Sequence, residues 1–478
     1  MSTRPTVFLV WDIMVAILIR VTFEDTPGRT RLRMNCISGH KIRMNVLSLL
    51  PLSRTRQWMV AASIILIGAC GGPATEPAAA EDTLEYETHY RVRPDPLRGV
   101  MDVELELRQP RHLLREVRFR VDDSRFADFS GDGELAREQE VLRWSPPAGG
   151  GTLRWQSTLS IRRNDKGYDA WLGKDWAVFR AEDIIPRAAT RTLKGATSLT
   201  RLSFELPSGW SAVTEYRETG GIFTTRHASR RFKQPAGWVA MGELGVRRDR
   251  IAGVRVAIAA PVDNGVRRLD MLALLNWTLP ELARIVPDMP TRLTIISAGD
   301  PMWRGGLSAP ASLFIHADRP LISENGTSTL LHEIMHVALG LRAADGYDWI
   351  VEGLAEYFSL ELLRRSGTLS TSRHDRARNS QQEWSQSSAR LCGASSTGAT
   401  TARAVAVFIE LDDELRQASD GKHSLDDIVT TLRSSNAEID IDILIETAST
   451  LIGANPDALH VDKLPGCRKI AADEKQPQ

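Results

Sequence analysis

The sequence shows no excess of either charge, since 60 Lys and Arg balance 60 Asp and Glu. It also lacks a basic stripe, so the usual electrostatic footprint of a nucleic-acid binder is missing. Its arginines are interleaved with Asp and Glu, the pattern of a solvated charged surface. The four cysteines include no closely spaced pair, which excludes a zinc ribbon. There is no internal repeat, and with it go the solenoid and propeller architectures. No tyrosine follows Tyr357, so the rest of the chain has no phenol to offer a reaction. What is present is ordinary for a soluble globular protein: 42% hydrophobic and 25% charged residues in 478, enough for two or three domains.

Residues 54–70 read as an export signal. Arg54 and Arg56 supply a positive start, and 58–67 (WMVAASIILI) is an uncharged apolar run too short to span a bilayer. It ends in Ile67-Gly68-Ala69-Cys70, which resembles the bacterial lipobox. That resemblance implies a lipid on Cys70 and a place in the cell envelope, periplasmic or on the outer face of a bacterial membrane. A second apolar run, 7–19, lies upstream and is interrupted by Asp12. A start codon placed too far upstream, with Met44 as the true start, explains that order. Residues 1–69 are therefore an extension plus signal peptide, outside fold reasoning. The Gly-, Pro- and Ala-rich stretch 70–83 is a flexible tether.

From 84 to 261 short runs alternate with period two, as at 90–93, 101–107 and 117–121, separated by turn residues such as Pro94-Asp95-Pro96 and Pro207-Ser208-Gly209. This pattern predicts an antiparallel β-sandwich-like N-terminal domain. Trp171, Trp176, Trp210 and Trp238 fall within it and are expected in its core or at a domain interface. From 262 to 466 the period becomes helical. Helices are predicted over 269–285, 327–341, 349–365, 402–417, 425–434 and 442–451, with strands over 291–297 and 311–316. That is a mainly helical α+β domain, followed by a charged tail at 467–478. Cys392 and Cys467 either join in a disulfide, in an oxidising compartment, or stay as two thiols.

The chemistry concentrates at His332-Glu333-Ile334-Met335-His336. Two imidazoles four residues apart lie one turn above each other on one helix face and can share a Zn2+. Glu333, rotated by about 100°, stands beside the metal rather than on it, where it can take a proton from a water acidified by the ion. Thr327 or Ser328 is the expected N-cap. A second predicted helix carries Trp349-Ile350-Val351-Glu352-Gly353-Leu354-Ala355-Glu356-Tyr357. A catalytic zinc takes three protein ligands, and Glu352 is the natural third. Glu356, one turn later, can accept the free N–H of a ligating histidine and set its tautomer.

H-E-x-x-H followed by W-x-x-E-G-x-A-x-Y resembles the gluzincin metallopeptidases, most closely the glycyl aminopeptidase family and more distantly the aminopeptidase N family. The resemblance implies a thermolysin-like catalytic domain, one Zn2+ on His332, His336 and Glu352, Glu333 as general base, and a peptide or protein substrate. Two positions depart from the family. Ser308, in Gly305-Gly306-Leu307-Ser308, stands where those aminopeptidases place a glutamate that grips the substrate's amine. Thr401 and Arg403 stand where a tyrosine and a lysine would accompany the oxyanion. His423, His374, Arg403 and Tyr357 are then the alternative oxyanion donors, and His423 is carried as the catalytic candidate because its distance from Glu352 in the sequence is like that in thermolysin-like enzymes. The competing expectation is a zinc-binding homologue that holds peptides or envelope partners without cutting.

Overall fold

A computed structural model of the protein describes residues 84–226 and 232–467, together with the backbone of one hairpin near the N-terminus. That hairpin pairs Ile19–Thr26 with Arg29–Cys36 in antiparallel register, so part of the stretch set outside fold reasoning is placed in two strands. The signal elements at 54–70, including Cys70, and the start at Met44 lie outside the described residues. Met1–Thr83 and Leu84–Gln478 are separate compact units, and the second carries every candidate site residue except Cys70. No helix among the described residues is long and apolar enough to cross a membrane.

The first half of this second unit is built from three sheets. The largest has seven strands, with Glu85–Asp95, Val100–Arg108 and Gly150–Thr158 at its centre. Alternation is strict there: Tyr86, Tyr90, Val92, Met101, Val103, Leu105 and Leu107 point inward and are buried, while charged residues point out. The expectation of purely antiparallel pairing needs one correction. Thr197–Phe204 runs parallel to Glu85–Asp95, because a long excursion through the other two sheets separates them.

The second half contains a five-stranded sheet. We label its strands β1 (Leu244–Ile251), β2 (Val254–Pro261), β3 (Arg292–Ala298), β4 (Gly306–Ala309) and β5 (Ser312–His316); their order is β1-β2-β3-β5-β4. The β1–β2 hairpin has the alternation that assigned it to the first domain, yet β2 hydrogen-bonds in parallel to β3. Period-two patterning identifies a strand but not the sheet it joins. Ala252 and Gly253 both take positive φ at the tip, which is the two-residue turn that matches strand twist.

Helix α1 (Arg268–Ile285) covers one face of this sheet. Then come α2 (Thr329–Leu339), α3 (Asp348–Arg365), α4 (Thr371–Ser385), α5 (Ala399–Ala418), α6 (Leu425–Ser435) and α7 (Ile441–Ile452). Sequence periodicity reaches all of these except α4. That helix buries only His374, Ala377, Gln381 and Ser385, so it has the period of an amphipathic helix without apolar residues to show it. A disulfide joins Cys392, in the loop before α5, to Cys467.

Candidate metal centre

Helix α2 begins where the Ser328 hydroxyl accepts the Leu331 N–H and ends at Gly340, whose φ of 60° needs no Cβ to be accommodated. Between these caps, His332 and His336 project from one face with their rings 4.7 Å apart. Helix α3 crosses beside α2 and brings Glu352 to the same point. It can come this close to α5 because residue 353 is glycine: a Cβ there would stand 2.5 Å from that of Ala404 and 2.8 Å from the Phe408 ring. Trp349, fully buried, stacks on Phe408 at 5.7 Å and holds the start of α3 in place.

The result is a triangle of ligand atoms. His332 Nε2 and His336 Nε2 are 3.1 Å apart, and each is 3.3 Å from an oxygen of Glu352. Ligands about 2.0–2.1 Å from a tetrahedral ion would be separated by roughly 3.3 Å, so the donor set fits zinc in both type and spacing. The donor chemistry points the same way. His332 Nδ1 donates to Glu356 Oε2 at 2.9 Å, which leaves Nε2 as a lone pair facing the other two ligands. Two imidazole lone pairs and a carboxylate cannot satisfy one another without a cation between them.

Burial alone would lower the His332 imidazole, but the hydrogen bonds to Glu352 and Glu356, with the charges of Glu356 and Glu333, push it up to about 10. Burial would raise Glu352, and the bonds from His332 and His336 instead hold it down to about 2.

Glu333 is buried beside the triangle without joining it. Burial raises its carboxyl, against the pull of His332 and His336 and a bond from Ser308. Its neighbour is the edge strand β4. A Cβ on Gly306 would stand 2.6 Å from Glu333 Cγ, so only glycine lets the strand approach the base. Sequence reasoning does not reach this role of Gly306; the signal available was a glycine pair ahead of an H-E-x-x-H helix. Trp238 anchors β4 from the first half, donating its indole N–H to Leu307 O at 2.9 Å with its ring against Phe314.

The other candidate donors do not gather here. His423 lies in the α5–α6 connection, bonded to Ser419 and 3.6 Å from Asp427. That turn is tied to the far end of α3, where Arg365 grips Asp426 at 2.7 and 2.9 Å. Arg365 is thirteen residues beyond Glu352, about 20 Å along the helix. The contacts of His423 are thus with Ser419 and Asp427 and not with the metal ligands, and its catalytic role rests on the sequence resemblance alone. Tyr357 is buried and turned toward Asp412, and His374 is buried 3.2 Å from Glu361. Arg403 lies on the first turns of α5 and gives one N–H to Ser388 O. Thr401 bonds Ser396, whose N–H is held by Asp348 at the start of α3.

With this geometry established, known structures can be compared. An aminopeptidase N family protein from Idiomarina loihiensis superposes with a TM-score of 0.57 at 15% identity, over 78% of this chain and 72% of its own. A single-residue variant of the M1 zinc metallopeptidase from Deinococcus radiodurans gives 0.51 at 16%, over 80% and 94%. This chain has their fold. No protein-family model and no curated protein matches it. At such identity the likeness is one of fold, with a β-rich half preceding a mainly helical one.

Proposed function

We propose that the protein is a zinc-dependent peptidase of the cell envelope, tethered by lipid on Cys70. The observation that carries the peptidase reading is the convergence of His332, His336 and Glu352 with Glu333 alongside and β4 at the edge of the sheet. Zinc held by the three ligands supplies Lewis acidity, which makes water a nucleophile near neutral pH. The chain's own groups do the rest. Glu333 accepts the water's proton on its carboxylate and returns it to the leaving amine. Glu356 keeps the His332 proton on Nδ1, away from the ligand face. β4 lies at the edge of the sheet, where an extended peptide would pair with it beside Glu333.

Ser308 bears on where the peptide is cut. A hydroxyl gives no charge to pair with a terminal ammonium, so internal cleavage is expected over trimming from the end. Ser308 and Thr401 also support a second reading, a zinc protein that binds peptides without cutting; a buried Glu333, which zinc binding does not require, argues for the first.

The test is a mass-spectrometric survey of products from a peptide library, with zinc-loaded protein and Glu333→Gln as control. Products from the wild type alone, at internal bonds, are the expected result. If both proteins hold zinc and neither cuts, the peptidase reading fails and the binding reading replaces it. For the tether, labelling with an alkyne fatty acid should mark the wild type and not Cys70→Ser; equal labelling would remove the anchor from the proposal.

A further inference from the structure

One face of the five-stranded sheet carries a row of arginines with no carboxylate in its register. Strand register sets Arg250 directly opposite Arg255, and Arg255 beside Arg292. Val254, Val256 and Leu293 point the other way into the core, so the three guanidinium groups share the opposite face, in a row across β1, β2 and β3. At about 4.8 Å per strand the row is about 10 Å long. Arg248 stands two residues along β1 on the same face. Arg217 comes to the row from the first half of the molecule, because Arg292 donates to the carbonyls of its neighbours Glu215 and Tyr216 at 2.8 and 3.3 Å. Arg217, Arg248, Arg250 and Arg255 are exposed. Among the described residues, no carboxylate forms an ion pair with any of these five arginines. Burial, then the charge of Arg255, with Arg217 and Arg248 adding and Glu215 opposing, holds the Arg292 guanidinium below its ordinary value.

The seven-stranded sheet shows what the same geometry looks like when it is self-satisfied. There Glu104 lies between Arg91 and Arg154 in one three-strand row and pairs with both. The adjacent row sets Asp102 between Arg93 and Gln156, bonded to each at 2.8 Å. Like charges directly opposite one another are destabilising. Protection of an exposed sheet edge would account for Arg248 and Arg250 on the edge strand β1. It does not account for Arg255 and Arg292 on the inner strands.

We propose that the row Arg250–Arg255–Arg292, with Arg248 and Arg217, is a binding site for phosphate groups. Guanidinium forks match phosphate oxygens two at a time, and a terminal phosphate brings more charge than a carboxylate while a phosphodiester brings as much. A row this long has room for several phosphates, as on a short polyphosphate chain or a layer of lipid headgroups.

The test uses the full chain and two double variants. Arg250→Gln/Arg255→Gln cuts the row; Arg93→Gln/Arg154→Gln removes the same charge from the paired rows. Calorimetric titration with tripolyphosphate should show binding weakened at least about tenfold in the first variant and unchanged in the second. Sedimentation with phosphatidylcholine vesicles, with and without phosphatidylglycerol, reads the other source. An excess on the anionic vesicles that the first variant loses and the second keeps places the phosphates on a lipid surface; tripolyphosphate binding without that excess makes the ligand soluble. Binding to neither probe, or equal weakening in both variants, overturns the proposal. Poly-glutamate held as tightly as tripolyphosphate overturns the assignment to phosphate.

Discussion

The rows Arg91–Glu104–Arg154 and Arg250–Arg255–Arg292 each cross three neighbouring strands of one sheet, the first antiparallel throughout and the second with one parallel pair, and only the middle residue differs in kind. Where it is Glu104, the row closes on itself. Where it is Arg255, three like charges stand side by side, two of them exposed and Arg292 half-buried. The metal triangle is the counterpart for a cation, since three lone-pair donors converge on one point. A cluster that satisfies itself is explained by the fold, whereas one that does not asks for a ligand of opposite charge.

The comparison breaks most sharply at the metal. Glu333→Gln should lower turnover by about 10² to 10⁴ and leave zinc bound, because the residue lies beside the triangle. Glu352→Gln should lose the zinc itself, read by chelator competition. Zinc loss in Glu333→Gln would mean that the triangle is drawn wrongly.

Next in size is the disulfide. Cys392→Ser should lower stability by about 2–4 kcal/mol, seen as a fall in Tm relative to the oxidised wild type. An unchanged Tm would show that the loop before α5 is held by its hydrogen bonds alone.

A smaller effect concerns Glu215, whose charge reaches Arg292. Burial pushes it up to about 7, against a hydrogen bond from Tyr216 and the charge of Lys233. Its ordinary value is 4.5, so between pH 4.5 and 7 the folded state holds more protons than the unfolded one. Its contribution is intact below about 4.5 and is lost as pH rises through 7. Tm measured across that window should fall in the wild type and fall less in Glu215→Gln; parallel curves would sink the assignment.

The smallest effect sharpens the original contrast. Glu104→Gln should cost at most about 1 kcal/mol, since exposed pairs are weak, while Arg255→Glu should leave Tm level or raise it in low salt. Destabilisation by both would show that the two rows do not differ in kind.

The metal ligands were legible because a helix repeats every 3.6 residues: His332, Glu333 and His336 have their relative directions set within one turn, and Glu352 with Glu356 within another. The caps at Ser328 and Gly340 are local too, and so is the alternation of the seven-stranded sheet. Helix α4 was not legible, since it packs through His374, Ala377, Gln381 and Ser385 and gives no apolar period.

By itself, then, the sequence determined which residues share a helix face or a strand face, because those relations depend on backbone geometry over a few residues. Only the tertiary structure decided which elements meet. It placed β1 and β2 beside β3, set Gly306 against Glu333, and brought together arginines at 217, 248, 250, 255 and 292, which read as scattered surface charge. Strand register and helix crossing are set by the packing of distant core residues, and no local period carries that information.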